Sequence, residues 1–426
     1  MTATASGIAI RELDLRSEKP ALFTEIARLL VDAYPIMHVD SADAFDRFVI
    51  SLRESENYAE ARWAVAERDG TLAGVMRLYD YEMNLRGRDA LAGGLGSLGV
   101  SALHKRRGVA RALIDWYLDD YRRRGAAFGV LYPFRLDFYR KLGFGYGTPV
   151  HRYRFAPGEL RDDGARGTPR ILGEADAEAL IAFHERMRAT TSGLFKRHRV
   201  PALRALRDPE LRLVGIEDGG ELRGLMQVKA IAGPDPVRNR DELLVRDLLA
   251  EDDGYAAALR GYLRAQRDQF ARIVIEAQDA ALYLAAADPS DDSNVAVAVP
   301  AGHRVAETGL GMMYRILDVE RAFAHLPPSR DALVVQVRID DPTLGATAGD
   351  WTFRFDARAA PRRDEAAAPD ATLSIGIHDL SSVVAGSLRL RDVVRHGIAT
   401  VEPRERAAAV DAAFAADRPP ICTTRF

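Results

Sequence analysis

Apolar positions in the first third of the chain follow two periods. Ile8–Leu13, Ala61–Ala66 and Thr71–Leu78 are short apolar or alternating runs and predict strands, the last two joined by a turn at Asp69-Gly70. Ala21–Ala33 and Ala42–Arg53 repeat apolar residues at helical spacing. The apolar run from Leu95 meets a basic cluster, and Gly108 opens a further helix. On that helix Val109, Leu113, Trp116, Tyr117 and Tyr121 share a face. Arg122, Arg123 and Arg124 fill its last turn and Gly125 stops it. Phe128–Tyr132 is a short strand, and Phe138–Phe144 carries a second aromatic cluster. Residues 1–148 read as one α/β domain.

The pattern then repeats. His151–Phe155 predicts a strand and Ala175–Arg188 a helix. Leu211–Glu217 and Glu221–Ala230 make a hairpin around Asp218-Gly219-Gly220. Leu243–Leu248 leads through Glu251-Asp252-Asp253-Gly254 into a helix over Tyr255–Arg267. Residues 149–305 form this second unit. From 306 the order changes to strands at Met312–Leu317, Ala332–Ile339, Trp351–Phe355 and Ala371–Ile377. Helices follow at His378–Ala385 and Leu390–Gly397, and Arg358–Asp370 is a charged loop. Residues 306–426 are an α+β domain.

Chemistry concentrates between Leu95 and Arg111. Lys105, Arg106 and Arg107 precede Gly108 at a helix start, where free N–H groups and the positive end of the helix dipole suit a pyrophosphate. The order Lys105-Arg106-Arg107-Gly108-Val109-Ala110 resembles the [Q/R]-x-x-G-x-[G/A] coenzyme A signature of the GNAT acetyltransferases, with Lys in place of Gln or Arg at the first position. Phe138-Tyr139-Arg140-Lys141-Leu142-Gly143-Phe144 resembles the F-Y-x-x-x-G-F element of the same family. The resemblance implies that Tyr139 protonates the leaving thiolate, a role open to a phenol held beside sulfur. It further implies that the backbone of Leu98, Gly99 and Val100 pairs with the pantetheine arm. The amides from Arg106 to Arg111 then hold the pyrophosphate, with added charge from Lys105, Arg106, Arg107 and Arg111. Phe134 and Arg135 border the cofactor. On residues alone, Tyr139 reads equally as a core aromatic and the arginines as a solvated face.

At the corresponding point of the second unit stand Glu251, Asp252 and Asp253, which repel a pyrophosphate. That unit reads as a GNAT-like domain without cofactor binding, or as an unrelated α/β domain with an acidic N-cap.

Composition narrows the classes. Of 426 residues 47% are hydrophobic and 28% charged, an ordinary globular balance. A net charge of −3 argues against a general affinity for nucleic acid or an anionic membrane. No apolar run approaches the ~18 residues of a membrane span. The start, MTATASGIAIREL, has no leader pattern. Cys422 is the single cysteine, which excludes an internal disulfide and a cysteine metal site, and the nine histidines are scattered. The expected compartment is a reducing cytoplasm, and no metal is expected.

The tail, with Met313-Tyr314-Arg315-Ile316-Leu317-Asp318-Val319, resembles a sterol-carrier-protein-like domain. Two tandem GNAT folds and such a domain together resemble the Eis family of aminoglycoside N-acetyltransferases over nearly the whole chain. The resemblance implies acetyl-CoA as co-substrate, transfer to a primary amine without an acyl-enzyme, and a homo-oligomer, in that family a hexamer. It also implies that the α-carboxylate of Phe426 reaches the first domain's site as general base. A frayed terminus is the ordinary alternative. Protein or peptide lysines remain open as acceptors. A non-enzymatic lipid carrier remains a rival, though a carrier needs no pyrophosphate cradle.

Overall fold

The computed structural model describes residues 2–3, 7–37, 39–53, 61–233, 241–291, 296–298 and 302–426. Residues 1 and 4–6 of the N-terminal stretch lie outside them. The chain forms two units. One comprises residues 1–147, 312–420 and 426, and the other 148–311 and 421–425.

In the first unit β1 (Ile8–Glu12) is followed by α1 (Pro20–Ala33), α2 (Ala42–Arg53), β2 (Ala61–Arg68), β3 (Thr71–Leu85) and β4 (Arg88–Val100). Then come α3 (Val109–Arg123), β5 (Phe128–Leu131), α4 (Leu136–Arg140) and β6 (Gly145–Tyr146). The 71–78 strand and the run from Leu95 prove to be the ends of one long hairpin. Its turn is Arg86-Gly87, with φ of 53° and 85°. Arginine is not a residue that announces such a left-handed turn, so the sequence hid it. The predicted face of α3 is buried: Val109, Leu113, Tyr117 and Tyr121 are at most 1% exposed, and Trp116 packs on the same core.

The second unit runs β7 (Pro149–Phe155), β8 (Thr168–Ile171), α5 (Ala177–Thr190), α6 (Arg199–Arg207), β9 (Arg212–Asp218), β10 (Glu221–Ile231), β11 (Glu242–Ala250), α7 (Asp253–Arg264), β12 (Arg272–Ala277) and β13 (Ala306–Leu310). Its sheet has the order β13-β7-β12-β11-β10-β9-β8. The helix α7 starts at Asp253 rather than Tyr255.

The chain re-enters the first unit with β14 (Met313–Ile316), α8 (Val319–Phe323), β15 (Leu333–Asp340), β16 (Gly349–Phe355), β17 (Ala371–Gly376), α9 (Ile377–Ala385), α10 (Leu390–Arg395), β18 (Thr400–Glu402) and α11 (Ala407–Phe414). The Met313–Ile316 strand was read with the C-terminal tail. It lies instead in the first unit's main sheet, between β5 and β6. All four of its residues are buried, as a strand covered on both faces must be. A five-stranded sheet built on β16-β15-β17-β18 completes the tail, and the 358–370 loop contributes a short strand, Arg362–Arg363, to its edge.

Three features tie the tail to the rest of this unit. Arg315 and Asp341, both fully buried, pair at 2.5 Å. Arg140 is held by Asp379 at 2.9 Å. Arg86, in the hairpin turn, donates to the carbonyls of Val383, Val384, Phe414 and Ala415 at 2.9–3.0 Å. These are final carbonyls of α9 and α11, which a cation is placed to cap.

Candidate active site

The site begins where two parallel strands part. β4 and β5 pair from Ala92↔Phe128 to Leu95↔Leu131 and no further. Beyond that point β4 stays paired with β3 and bulges, with Ser97 at φ 46°. Gly96 to Val100 therefore have no partner on the β5 side in this pairing.

Leu98 lies in the opened stretch, and its carbonyl accepts a 2.8 Å hydrogen bond from the Tyr34 hydroxyl. Burial raises the Tyr34 pKa to about 12, so the phenol is a donor at neutral pH. Tyr34 follows α1 as its C-cap, and no pattern in the sequence marked it. Gly99 is needed for packing: a Cβ there would come 2.6 Å from Leu29 Cδ2 of α1.

Residues 101–108 join β4 to α3. Lys105, Arg106, Arg107 and Gly108 are exposed. Arg106 and Gly108 have φ of 61° and 82°, a left-handed path that glycine takes without strain. Gly108 is the N-cap of α3; no side chain caps the helix, and its first turn holds no acidic residue. A Cβ built on Gly108 meets nothing within 4 Å. Val109 is buried, while Ala110 is half-buried and Arg111 exposed. The helix end is open, cationic and unblocked, which fits a pyrophosphate. Arg111 is less available than expected, because Asp115 binds its Nε at 2.8 Å.

Tyr139 sits on the opposite side of the opening, on α4. It is 4% exposed, with the rings of Phe134, Phe138 and Phe144 at 5.7, 5.1 and 5.8 Å. Desolvation, then the nearby Tyr34 phenol, raises its pKa well above the ordinary tyrosine value. The group keeps its proton at neutral pH. Phe134 is 65% exposed at the rim. Arg135 is spent on Asp137 at 2.6 Å, which holds that carboxyl below its usual range.

Phe426 is ordered within the first unit. Its ring centroid lies 5.3 Å from Tyr79, 5.1 Å from Tyr81 and 5.4 Å from Tyr132. A Cβ on Gly96 would approach its carboxyl carbon to 3.3 Å, so the chain end lies against the opened part of β4. The three tyrosines were not singled out in the sequence. Tyr79 and Tyr81 stand at positions i and i+2 on one face of β3, a signal hidden because the predicted strand stopped at Leu78.

The second unit repeats the backbone without the loop. β11 and β12 pair in parallel to Val245↔Ile275 and then part, and β11 bulges at Asp247, φ 52°. Only Glu251 and Asp252 separate β11 from α7. The acidic run therefore does not occupy a cradle; the cradle loop is missing. Asp252 caps α7 by accepting from Gly254 N and Tyr255 N, and Glu251 is bound by Arg186 and Arg223 at 2.8 and 2.9 Å. Both carboxylates are thus committed, one to the helix end and the other to neighbouring arginines. Among the described residues no group of His, Cys, Asp and Glu is placed to hold a metal, and no helix is long and apolar enough to cross a membrane.

The comparisons agree with this geometry. Residues 14–147 match the acetyltransferase (GNAT) domain family and residues 319–423 the sterol carrier protein domain family. An uncharacterized N-acetyltransferase of Streptomyces coelicolor is 24% identical over 363 residues, 76% of this chain and 80% of that protein. The chain carries a GNAT N-acetyltransferase domain. Its full-length layout is Eis-like, with tandem GNAT folds and a sterol-carrier domain. The structure of Eis1 from Mycobacterium abscessus has a TM-score of 0.75 at 22% identity, covering 98% of this chain and 100% of that one. A GCN5-related N-acetyltransferase from Kribbella flavida gives 0.76 at 21% identity, covering 99% and 100%. The GNAT domain implies use of acetyl-CoA and of an acceptor substrate.

Proposed function

We propose that the chain moves an acetyl group from acetyl-CoA to a primary amine of an aminoglycoside or another polyamine-like acceptor, by direct attack in a ternary complex. The observation that carries this reading is the combination of an uncapped cationic helix end at Gly108 with Tyr139 and Phe426 in one unit.

Bound acetyl-CoA supplies the acetyl group as a thioester. The N–H groups from Arg106 to Arg111 and the charges of Lys105, Arg106 and Arg107 hold the diphosphate. The backbone of Leu98, Gly99 and Val100 orients the arm. Tyr34 contributes by fixing the Leu98 carbonyl, while Phe134 and Arg135 form the rim. Tyr139 keeps its proton until a thiolate forms beside it, then donates it from Oη to the departing sulfur. The Phe426 carboxylate holds the acceptor ammonium; one proton leaves to water and frees the nitrogen lone pair, the carboxylate takes a second as the C–N bond forms and the C–S bond breaks, and that proton returns through solvent to the Tyr139 phenolate. A free terminal carboxylate is ordinarily a weak base, with pKa about 3.3–3.7. Its placement beside the reacting amine compensates by keeping the proton transfer within one contact.

The test combines binding with turnover. Purified protein is titrated with acetyl-CoA, then assayed for thiol release against aminoglycosides, simple diamines and lysine peptides. Release with the aminoglycosides or diamines, lost in Gly108→Asp together with acetyl-CoA binding, is the expected result. Turnover with lysine peptides alone would replace the acceptor class. Unchanged affinity in folded Gly108→Asp would move the cradle elsewhere.

A further inference from the structure

Within the first unit, the sterol-carrier fold touches the element that carries Tyr139. Helix α4 has five residues, Leu136–Arg140, too few to hold a shape without outside support. Its position is therefore set by what packs on it and on the turn that follows. Arg140, next to Tyr139 in the chain, gives a fork to Asp379 of α9, Nη1 to Oδ1 at 2.9 Å and Nη2 to Oδ2 at 3.3 Å. Helix α9 lies within the residues that match the sterol carrier protein domain. Asp379 is 2% exposed, so the pair is shielded from salt. The same guanidinium lies 4.4 Å from the centroid of the Tyr146 ring on β6. His378 Nδ1 also stands 3.5 Å from Asp379 Oδ2. Burial lowers the His378 pKa, so at neutral pH that ring is neutral and Arg140 carries the charge facing Asp379. The turn after α4 is held as well. The Tyr139 carbonyl accepts from the amides of Leu142 and Phe144 at 3.0 and 3.1 Å, and the Leu142 carbonyl accepts from Arg315 Nε at 3.2 Å. A Cβ on Gly145 would collide with the His378 carbonyl and with Ser382, so β6 runs directly against α9. Ser387, just past α9, donates from its hydroxyl to the Tyr146 carbonyl at 2.6 Å.

We propose that Asp379 is a positioning residue for acetyl transfer: by gripping Arg140 it sets where the Tyr139 hydroxyl stands, which makes the sterol-carrier fold part of the catalytic scaffold. The inference rests on the reading that Tyr139 protonates the leaving thiolate. Proton transfer needs the donor within hydrogen-bond reach of the sulfur, and a misplacement of about 1 Å costs on the order of 10²-fold in rate. Phe134, Phe138 and Phe144 hold the Tyr139 ring by apolar contacts, which are not directional. The fork on the adjacent residue is directional, and it fixes the short helix as a body.

The test removes the grip with and without the phenol. Asp379→Asn keeps the size of the side chain and takes away its charge and one acceptor oxygen. It is made alone and in a Tyr139→Phe background. Thiol release is measured with acetyl-CoA and an amine acceptor from the panel above, alongside the acetyl-CoA Kd. Asp379→Asn alone should lower kcat at least tenfold and leave Kd within twofold. In the Tyr139→Phe background it should change kcat less than twofold, because the proton it positions is already gone. Wild-type kcat in Asp379→Asn, or the full loss repeated in the Tyr139→Phe background, would overturn the proposal. Breaking a buried pair from one side can also prevent folding. Arg140→Met combined with Asp379→Leu removes both charges and keeps the contact apolar, so this chain should fold while kcat stays at least tenfold down. Recovery of kcat together with folding would reduce the pair to a structural one and overturn the positioning role. The Tyr139 reading fails separately, by wild-type turnover in Tyr139→Phe alone.

Discussion

Replacing Phe426 by alanine separates the anchor from the carboxylate. The variant keeps a terminal carboxylate at the same chain position and removes only the ring. Burying that ring contributes about 2 kcal/mol of transfer free energy. Its contacts with Tyr79, Tyr81 and Tyr132 add about 0.5 kcal/mol each at the lower end of such pairs. The total is about 3.5 kcal/mol, and at ~1.4 kcal/mol per decade the docking equilibrium weakens by about 2.5 decades, roughly 300-fold. If acetyl transfer needs the docked end, kcat/KM for the amine falls by the same factor. Phe426→Leu keeps most of the apolar burial, loses the ring contacts, and should fall about tenfold. The acetyl-CoA affinity should not move, because the Gly108 cradle is separate. Thiol release at saturating acetyl-CoA measures the first effect and titration calorimetry the second. Wild-type turnover in Phe426→Ala would show that the ring does not set the docked position; wild-type turnover after a glycine extension past Phe426, which turns its carboxylate into an amide, would show that the chain end has no part in transfer.

Tyr139→Phe keeps the packing against Phe134, Phe138 and Phe144 and removes the proton; kcat should drop by about 10²-fold or more with unchanged acetyl-CoA affinity. Wild-type turnover would leave Tyr139 as a core aromatic. Arg86→Gln leaves up to four helix-end carbonyls without their charged donor and should cost about 3 kcal/mol or more of stability in chemical unfolding, with acetyl-CoA affinity retained in the folded fraction. A cost below about 1 kcal/mol would refute the capping argument. His184, fully buried on α5, has its pKa lowered to about 3 by desolvation and by the charges of Arg197 and Arg188. The unfolded chain therefore binds the extra proton between pH 6.5 and about 3, and stability falls as pH falls through that window. The wild-type slope should exceed that of His184→Leu by up to about 1.4 kcal/mol per pH unit there, read from unfolding at pH 4.5 and 6.5. Parallel pH curves would refute it.

What the sequence revealed was chemistry compressed into a few neighbouring residues. Glycine, cations and a helix start within one loop are neighbours in the chain, so the uncapped cationic start of α3 at Lys105–Ala110 was legible without a fold. The buried face of α3 was legible because its period is local. Features made by distant residues were not. Met313–Ile316 is a uniformly apolar run, and nothing local tells such a strand which sheet it joins. Tyr34 acts through one hydrogen bond to Leu98, and a lone tyrosine after a helix carries no pattern. The positive charge written into Arg111 and Arg135 was overcounted, because Asp115 and Asp137 neutralise them.

The two GNAT folds end their parted strands in two different ways. Both have a bulge beyond the last parallel pair, at Ser97 and at Asp247. In the first, residues 101–108 carry the chain to a helix whose end is left uncapped, so its orphan N–H groups need an external acceptor. In the second, the loop is reduced to Glu251 and Asp252, and Asp252 supplies the acceptor itself. Such a cap is worth about 0.5–2 kcal/mol to the helix that carries it. Its charge is in turn balanced by Arg166. One carboxylate therefore satisfies the N–H groups at the start of α7 and takes up Arg166, so this helix end needs no external acceptor.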